Sequence, residues 1–208
     1  MRYALLKMTP SRSEKQTVRD EIRERLRGLD PEERLADSVA VCKTILNSPV
    51  WAAADTVFAF VSLPDEVETT ELCERALKEG KRLGLPRFGE EGLRFFAVEN
   101  LAELRADNTL AIRQPGDGLP LLCSTREPRQ PGRLLIVTPG RAFTREGERL
   151  GRGGGFYDTF FSALRENHIV FQAIGVAFEQ QLEERLPVEE NDERVHGVVT
   201  PSKHWGVV

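Results

Sequence analysis

Two alternating hydrophobic periods constrain this chain more than any other feature. Residues 13–27 carry Val18, Ile22 and Leu26 at four-residue spacing before Gly28, which predicts an amphipathic helix with a stop. Asp30-Pro31-Glu32-Glu33 is a helix start, with an acceptor at the N-cap, proline in the first turn and Glu three residues after the cap. Leu35, Val39, Cys42 and Leu46 predict its buried face. Residues 56–61 (TVFAFV) are short, β-branched and aromatic, as a buried strand should be. A helix over residues 69–79 closed by Gly80, a strand over 82–85 stopped by Pro86, and buried strands over 134–137 and 171–177 follow. Strand, helix, strand in succession predicts an α/β fold, a mostly parallel sheet with helices on both faces, because parallel neighbours need a crossover between them. The Pro- and Gly-rich residues 114–132 read as a long loop inside one domain spanning residues 1–208, since no second core flanks them.

Composition narrows the function classes. Forty per cent hydrophobic and 30% charged residues in 208 suffice for one ordinary core. A formal charge of −4 argues against nucleic acid or an anionic membrane as partner. Three cysteines without a CxxC pair fit neither a disulfide framework nor a zinc site and suit a reducing compartment. No apolar run approaches the roughly 20 residues of a membrane span, and residues 1–15 have too short an apolar core for a signal peptide. A cytoplasmic monomer is expected. Between Arg126 and Arg152, however, seven arginines stand against three acids, a net +4 that predicts a local anion site.

That segment runs into RLGRGGGFYDTFF, residues 149–161. Phe156, Phe160 and Leu164, with Tyr157 and Phe161, have helical spacing, so a helix begins near Gly154 or Gly155. Glycines before a helix let backbone approach a ligand, free N–H groups there face an anion, and Arg149 and Arg152 add fixed positive charge. The loop reads as a phosphate cradle. It is no Walker A loop, since GxxxxGK[ST] does not occur, and no GxGxxG fingerprint, since Phe156 stands where the last glycine would be.

PGRAFTREGERLGRGGGFYD closely resembles the signature of the 5-formyltetrahydrofolate cyclo-ligases, approximately PGxxFDxxGxRLGxGxGYYD. FVSLPDEVETTEL, LPR at residues 85–87, RQP at 113–115, LPVEENDERV and KQTVRDEIRERLRGLDPEERL are similar to further family segments, in the same order. The resemblance implies a Rossmann-like three-layer fold. It also implies an enzyme that uses ATP and Mg²⁺ to close 5-formyltetrahydrofolate into 5,10-methenyltetrahydrofolate, releasing ADP and phosphate through a phosphorylated formyl group.

Carried over residue by residue, it implies Arg149 and Arg152 as catalytic. ATP would be held by Lys15, Arg19, Arg149, Leu150, Gly151, Arg152, Gly153, Gly154, Gly155, Phe156 and Tyr157. The folate would meet Val61, Glu66, Arg152, Phe156 and Tyr157, and Mg²⁺ would meet Asp158 and Asp192. Plainer roles stand beside these. Lys15 and Arg19 fit a solvated helix face, Asp158 a first-turn acid, and Asp192 a solvated loop; Phe156 and Tyr157 suit a packed helix face as well as a ligand wall. Thr144 stands where the family carries Asp, Phe156 where Tyr is commoner, and Gly154 where some relatives are basic. The alternatives are a non-catalytic nucleotide- or folate-binding relative, for which Thr144 argues, and a phosphosugar enzyme on a similar scaffold. The second needs a general base, and none of His168, His196 and His204 lies in the glycine loop.

Overall fold

The computed structural model describes residues 12–106 and 113–208; most of the N-terminal segment judged too short in apolar core for a signal peptide lies outside them. Its order is α1 (Arg12–Arg27), α2 (Pro31–Leu46), α3 (Pro49–Ala53), β1 (Thr56–Phe58), α4 (Thr70–Lys78), β2 (Arg82–Gly89) and β3 (Gly92–Ala97). Then come β4 (Leu104–Ala106), β5 (Arg113–Pro115), β6 (Leu121–Ser124), β7 (Leu134–Thr138), β8 (Ala142–Phe143) and β9 (Arg149–Leu150). The chain ends with α5 (Phe156–Glu166), β10 (Phe171–Val176), β11 (Gly197–Val199) and β12 (His204–Gly206). The main sheet has the order β12-β11-β10-β7-β1-β2-β3-β6. Strands β11, β10, β7, β1 and β2 are mutually parallel; β12 on one edge runs against them, and on the other β3 runs antiparallel to both its neighbours, β2 and the edge strand β6.

Central strands are apolar on both faces, so each supplies two cores. Leu135 and Val137 of β7 face a core with Ile22 and Leu26 of α1, Val41 and Ile45 of α2, and Leu72 of α4. Leu134 and Ile136 face the opposite core, with Phe160, Phe161 and Leu164 of α5. That is the α/β layering the periodicity predicted. Cys42, Cys73 and Cys123 are buried and unbridged, and burial pushes the Cys42 and Cys73 thiols up to about 12, which leaves them unreactive. Among the described residues no helix is long and apolar enough to cross a membrane.

Local departures have local causes. On α2 the buried residues are Ser38, Val41, Cys42 and Ile45, while Leu35 and Val39 are 60% and 49% exposed. Ser38 takes the inward place because its hydroxyl accepts from Glu68 N at 3.0 Å and donates to Arg34 O at 2.8 Å. β1 ends at Phe58, three residues sooner than expected, and β2 continues through Pro86 to Gly89. Gly84 O and Phe88 N both point to the β1 side of β2, so Pro86 N points there too, beyond the end of β1. Its missing N–H breaks no ladder bond. Residues 114–132 are not one loop, since β6 lies within them and pairs with β3.

Strands β8 and β9 form a small hairpin, Ala142 opposite Leu150 and Phe143 opposite Arg149, that carries the chain from β7 to the glycine loop. Thr144, fully buried, closes its turn: its hydroxyl accepts from Glu148 N at 3.2 Å while its amide donates to Glu148 O at 3.0 Å. The threonine hydroxyl thus orders this turn without a carboxylate. Gly147 sits at φ +84°, and a Cβ there would fall 2.3 Å from Val195 O, so only glycine lets the turn dock on residues 192–196.

Two substitutions test this packing. Phe160 is fully buried, with ring centroids 5.1 Å from Phe95 and 6.5 Å from Phe58. Phe160→Ala is expected to destabilise the protein by about 3–5 kcal/mol in urea unfolding. Thr144→Val leaves the Glu148 amide without its acceptor and is expected to cost about 1–2 kcal/mol in the same measurement; an unchanged midpoint would show that the hydroxyl is not what holds the turn.

Candidate active site

Strands β1 and β7 are parallel neighbours whose chains leave in opposite directions. After β1 the chain crosses to β2 through α4 on one face; after β7 it crosses to β10 through α5 on the other. The loops therefore diverge at the carboxyl ends of the strands, the position where such sheets form a crevice. A cleft of about 420 Å³ lies there. The β1 loop supplies Phe60, Val61, Leu63 and Glu66, β2 supplies Pro86, Phe88 and Gly89, and β5 supplies Arg113. The β7 loop and the start of α5 supply Pro139, Gly140, Arg149, Gly151, Arg152, Gly154, Gly155, Phe156, Tyr157 and Asp158.

Ten residues singled out from the sequence thus share one cleft: Val61, Glu66, Arg149, Gly151, Arg152, Gly154, Gly155, Phe156, Tyr157 and Asp158. Leu150 is buried behind them. Lys15, Arg19, Gly153 and Asp192 do not line the wall but stand beside it. Arg19 Nε donates to Gly151 O at 2.8 Å, and a Cβ on Gly153 would lie 3.7 Å from the Arg19 guanidinium carbon. Gly155, at φ +64°, is the N-cap of α5 and gives it no side-chain cap, so the first-turn N–H groups face the cleft's end without an internal acceptor side chain.

The seven arginines do not cluster. Arg133 pairs with Asp55 at 2.7 Å and Arg129 with Glu127 at 2.7 Å; both precede β7, while the cleft follows it. Five residues of strand put about 16 Å between the two ends. Arg145 lies 5.5 Å over the Trp205 ring. Only Arg141, Arg149 and Arg152 reach the site, so the net charge of the segment overstates the local field.

Those that reach it are held by carboxylates. Arg149, 5% exposed, donates to Asp158 Oδ1 at 2.7 Å and lies 5.5 Å over the Tyr157 ring. Asp158 Oδ1 also accepts from Glu193 N at 3.2 Å, which brings the neighbouring Asp192 to the same corner. Lys15 Nζ stands 2.7 Å from Asp192 and 3.2 Å from Glu189, tying α1 to that segment. Arg152 Nε donates to Glu66 Oε1 at 3.0 Å, and its Nη2 to Asp65; Asp65 in turn accepts from Arg141 Nη1 at 2.6 Å. Burial raises the Asp65 carboxyl, but bonds from Arg141 and Arg152 outweigh it and hold the group below the ordinary range.

The two aromatics of the site differ in burial although both line the cleft. Tyr157 is packed against Phe161 at 5.9 Å and buried, with its hydroxyl lacking a hydrogen-bond partner, and burial pushes its pKa up. Phe156 is half-buried, edge-on to Phe88 at 5.3 Å, and the two form an apolar wall. Asp65 and Arg141 were missed in the sequence; the signals were the acid beside Glu66 and the arginine in PGRAF. Phe60 was missed as a wall residue because it was read only as strand, and Pro86 and Phe88 because the strand was expected to stop at Pro86.

Among the described residues no three His, Cys, Asp or Glu side chains form a metal cage. Asp158 and Asp192 fit a different kind of donor set. Both bonds to Asp158 fall on Oδ1, leaving Oδ2 outside them, and Mg²⁺ commonly takes one or two carboxylates with the rest of its shell from phosphate and water. Such a pair suits a metal that arrives with phosphate.

Known proteins resemble this chain in sequence and fold. The profile of the 5-formyltetrahydrofolate cyclo-ligase family matches residues 11–201. The 5-formyltetrahydrofolate cyclo-ligase of Escherichia coli K12 is 37% identical over 192 residues, covering 88% of this chain and 98% of that one. The mouse protein of the same name is 31% identical over 194 residues, covering 90% and 93%. The solution structure of Aquifex aeolicus 5,10-methenyltetrahydrofolate synthetase superposes with a TM-score of 0.77 at 27% identity, covering 93% of this chain and 92% of that one. A 5,10-methenyltetrahydrofolate synthetase from Mycoplasma pneumoniae, at 16% identity and a TM-score of 0.66, shares the fold. With its signature loop at the switch point of the sheet and a match across nearly its whole length, this chain belongs to the 5-formyltetrahydrofolate cyclo-ligase family.

Proposed function

We propose that the chain closes 5-formyltetrahydrofolate into 5,10-methenyltetrahydrofolate at the expense of ATP, one domain and one site per monomer. The observation that carries the reading is the facing of two chemistries across one apolar cleft. Arg149, Arg152 and the uncapped start of α5 suit phosphate on one side; Glu66, 8% exposed at its side chain, suits a ring edge of N–H donors on the other.

A formyl amide is a poor electrophile with a poor leaving group. Transfer of the γ-phosphoryl to the formyl oxygen turns that oxygen into a leaving group. N10 of the same molecule then attacks the formyl carbon and gives up its proton to water or to a phosphate oxygen, and phosphate departs with the C–O bonding pair as the new C–N bond acquires double-bond character. Tethering of the nucleophile makes the ring closure intramolecular. The protein's task is to position phosphate and to stabilise charge in a site that excludes water. In this reading Arg149 and Arg152 neutralise the transferring group, Lys15 and Arg19 support the phosphates from α1, and backbone of residues 150–155 meets their oxygens. Val61, Phe156 and Tyr157 flank the folate, whose ring edge Glu66 accepts. Asp158 and Asp192 would hold Mg²⁺, which supplies further neutralisation of phosphate charge.

Purified protein mixed with 5-formyltetrahydrofolate, ATP and Mg²⁺ is expected to generate the near-ultraviolet absorbance of the methenyl product, and EDTA or omission of ATP to abolish it. Arg152→Ala is expected to lower kcat/KM by about 100-fold or more, the usual loss for a donor to transition-state charge. Folate and nucleotide binding without any absorbance change would support the non-catalytic reading instead.

A further inference from the structure

Arg152, which the functional reading sets on the transferring phosphate, and Glu66, which it sets on the folate ring edge, are bound to each other. Arg152 belongs to the loop between β7 and α5, and Glu66 to the loop after β1, so their 3.0 Å bond joins the two walls of the cleft. Asp65 accepts from Arg152 on one side and from Arg141 on the other, and Arg141, with a side chain 4% exposed, is the fixed end of the row. Leu63 N donates to Glu66 Oε2 at 3.0 Å, so both oxygens of Glu66 are engaged. The row Arg141–Asp65–Arg152–Glu66 is neutral, with two cations and two acids.

Resting on the functional reading above, we propose that Asp65 and Glu66 hold Arg152 as counter-ions while the cleft is empty, and that nucleotide phosphate and folate release the Arg152–Glu66 pair together, each raising the other's affinity. The cause is the cost of a lone charge in a half-buried place. Phosphate that takes Arg152 leaves the almost enclosed Glu66 without a cation, and the pterin's N–H donors then supply what was lost. Folate that takes Glu66 frees Arg152 in the same way. By linkage the two enhancements are one factor. Asp65 is the positioning residue: anchored by Arg141, it keeps the guanidinium at the cleft mouth while the partner changes.

Calorimetric titration of the full chain tests this, using a non-hydrolysable ATP analogue with Mg²⁺, alone and in saturating 5-formyltetrahydrofolate. The folate is expected to tighten the analogue by about fivefold or more, and the analogue to tighten the folate equally. Glu66→Gln removes the competing charge, so the analogue alone should bind more tightly than to the wild type and lose its response to folate. Asp65→Asn, which keeps the shape of the row and lies outside the substrate contacts, should likewise tighten the analogue alone; loss of mere loop support would weaken it. Tight but independent binding of both ligands to the wild type overturns the inference and leaves the functional reading standing. So does weakened analogue binding in Asp65→Asn. Failure of the wild type to bind either ligand overturns both.

Discussion

Everything at the functional end of the molecule depends on β1 and β7 lying side by side, parallel, at the centre of the sheet. Both strands are apolar on both faces, so each must be covered from two sides. The chain meets that demand by crossing from β1 to β2 through α4 on one face and from β7 to β10 through α5 on the other. Loops that leave neighbouring strands for opposite faces diverge at their roots, and the space between them, bridged only by side chains, is the cleft. The hydrophobic requirement of two strands thus places Glu66 on one wall and Arg149 and Arg152 on the other.

Once there, those charges obey a second constraint. A cation or carboxylate that is mostly withdrawn from water needs a partner, because its lost hydration is not otherwise replaced. Lys15 meets Asp192, Arg149 meets Asp158, and Arg152 meets Glu66 with Asp65. In each pair the functional reading assigns the base to phosphate and, apart from the positioning Asp65, the acid to metal or folate. An anion bound with its counter-cation, or two substrates bound together, would exchange partners with these pairs without stranding a charge. The same pairs stitch distant segments together, α1 to residues 189–192 and the β1 loop to the glycine loop.

Much of this was legible in the sequence, for reasons that particular residues make clear. Residues 134–137 read as a buried strand because four consecutive apolar residues leave no polar face, and the helix after the glycine loop was legible because Phe156, Phe160 and Leu164 repeat at helical spacing. The inward face of α2 was not legible: Leu35 and Val39 fit a four-residue stripe as well as the true one does, and only the bond from Glu68 to Ser38 turns the helix. Strand β6 was hidden in a Pro- and Gly-rich stretch because an edge strand owes its existence to its neighbour, here β3, rather than to its own pattern. Asp65 and Arg141 were hidden for the same reason: residues 76 positions apart meet only once both loops rise from the same end of the sheet. Arginine counting misled because β7 separates Arg126, Arg129 and Arg133 from the site that Arg149 and Arg152 enter.

The central claim, that the cleft's charges are stored as pairs between groups destined for different ligands, is tested most directly by a crystal structure with a non-hydrolysable ATP analogue and Mg²⁺ bound. The account predicts phosphate oxygens on Arg149 and Lys15, with Asp158 and Asp192 turned to the metal and both ion pairs opened beyond about 4 Å. A nucleotide seated in the cleft with Arg149–Asp158 and Lys15–Asp192 still closed would contradict it.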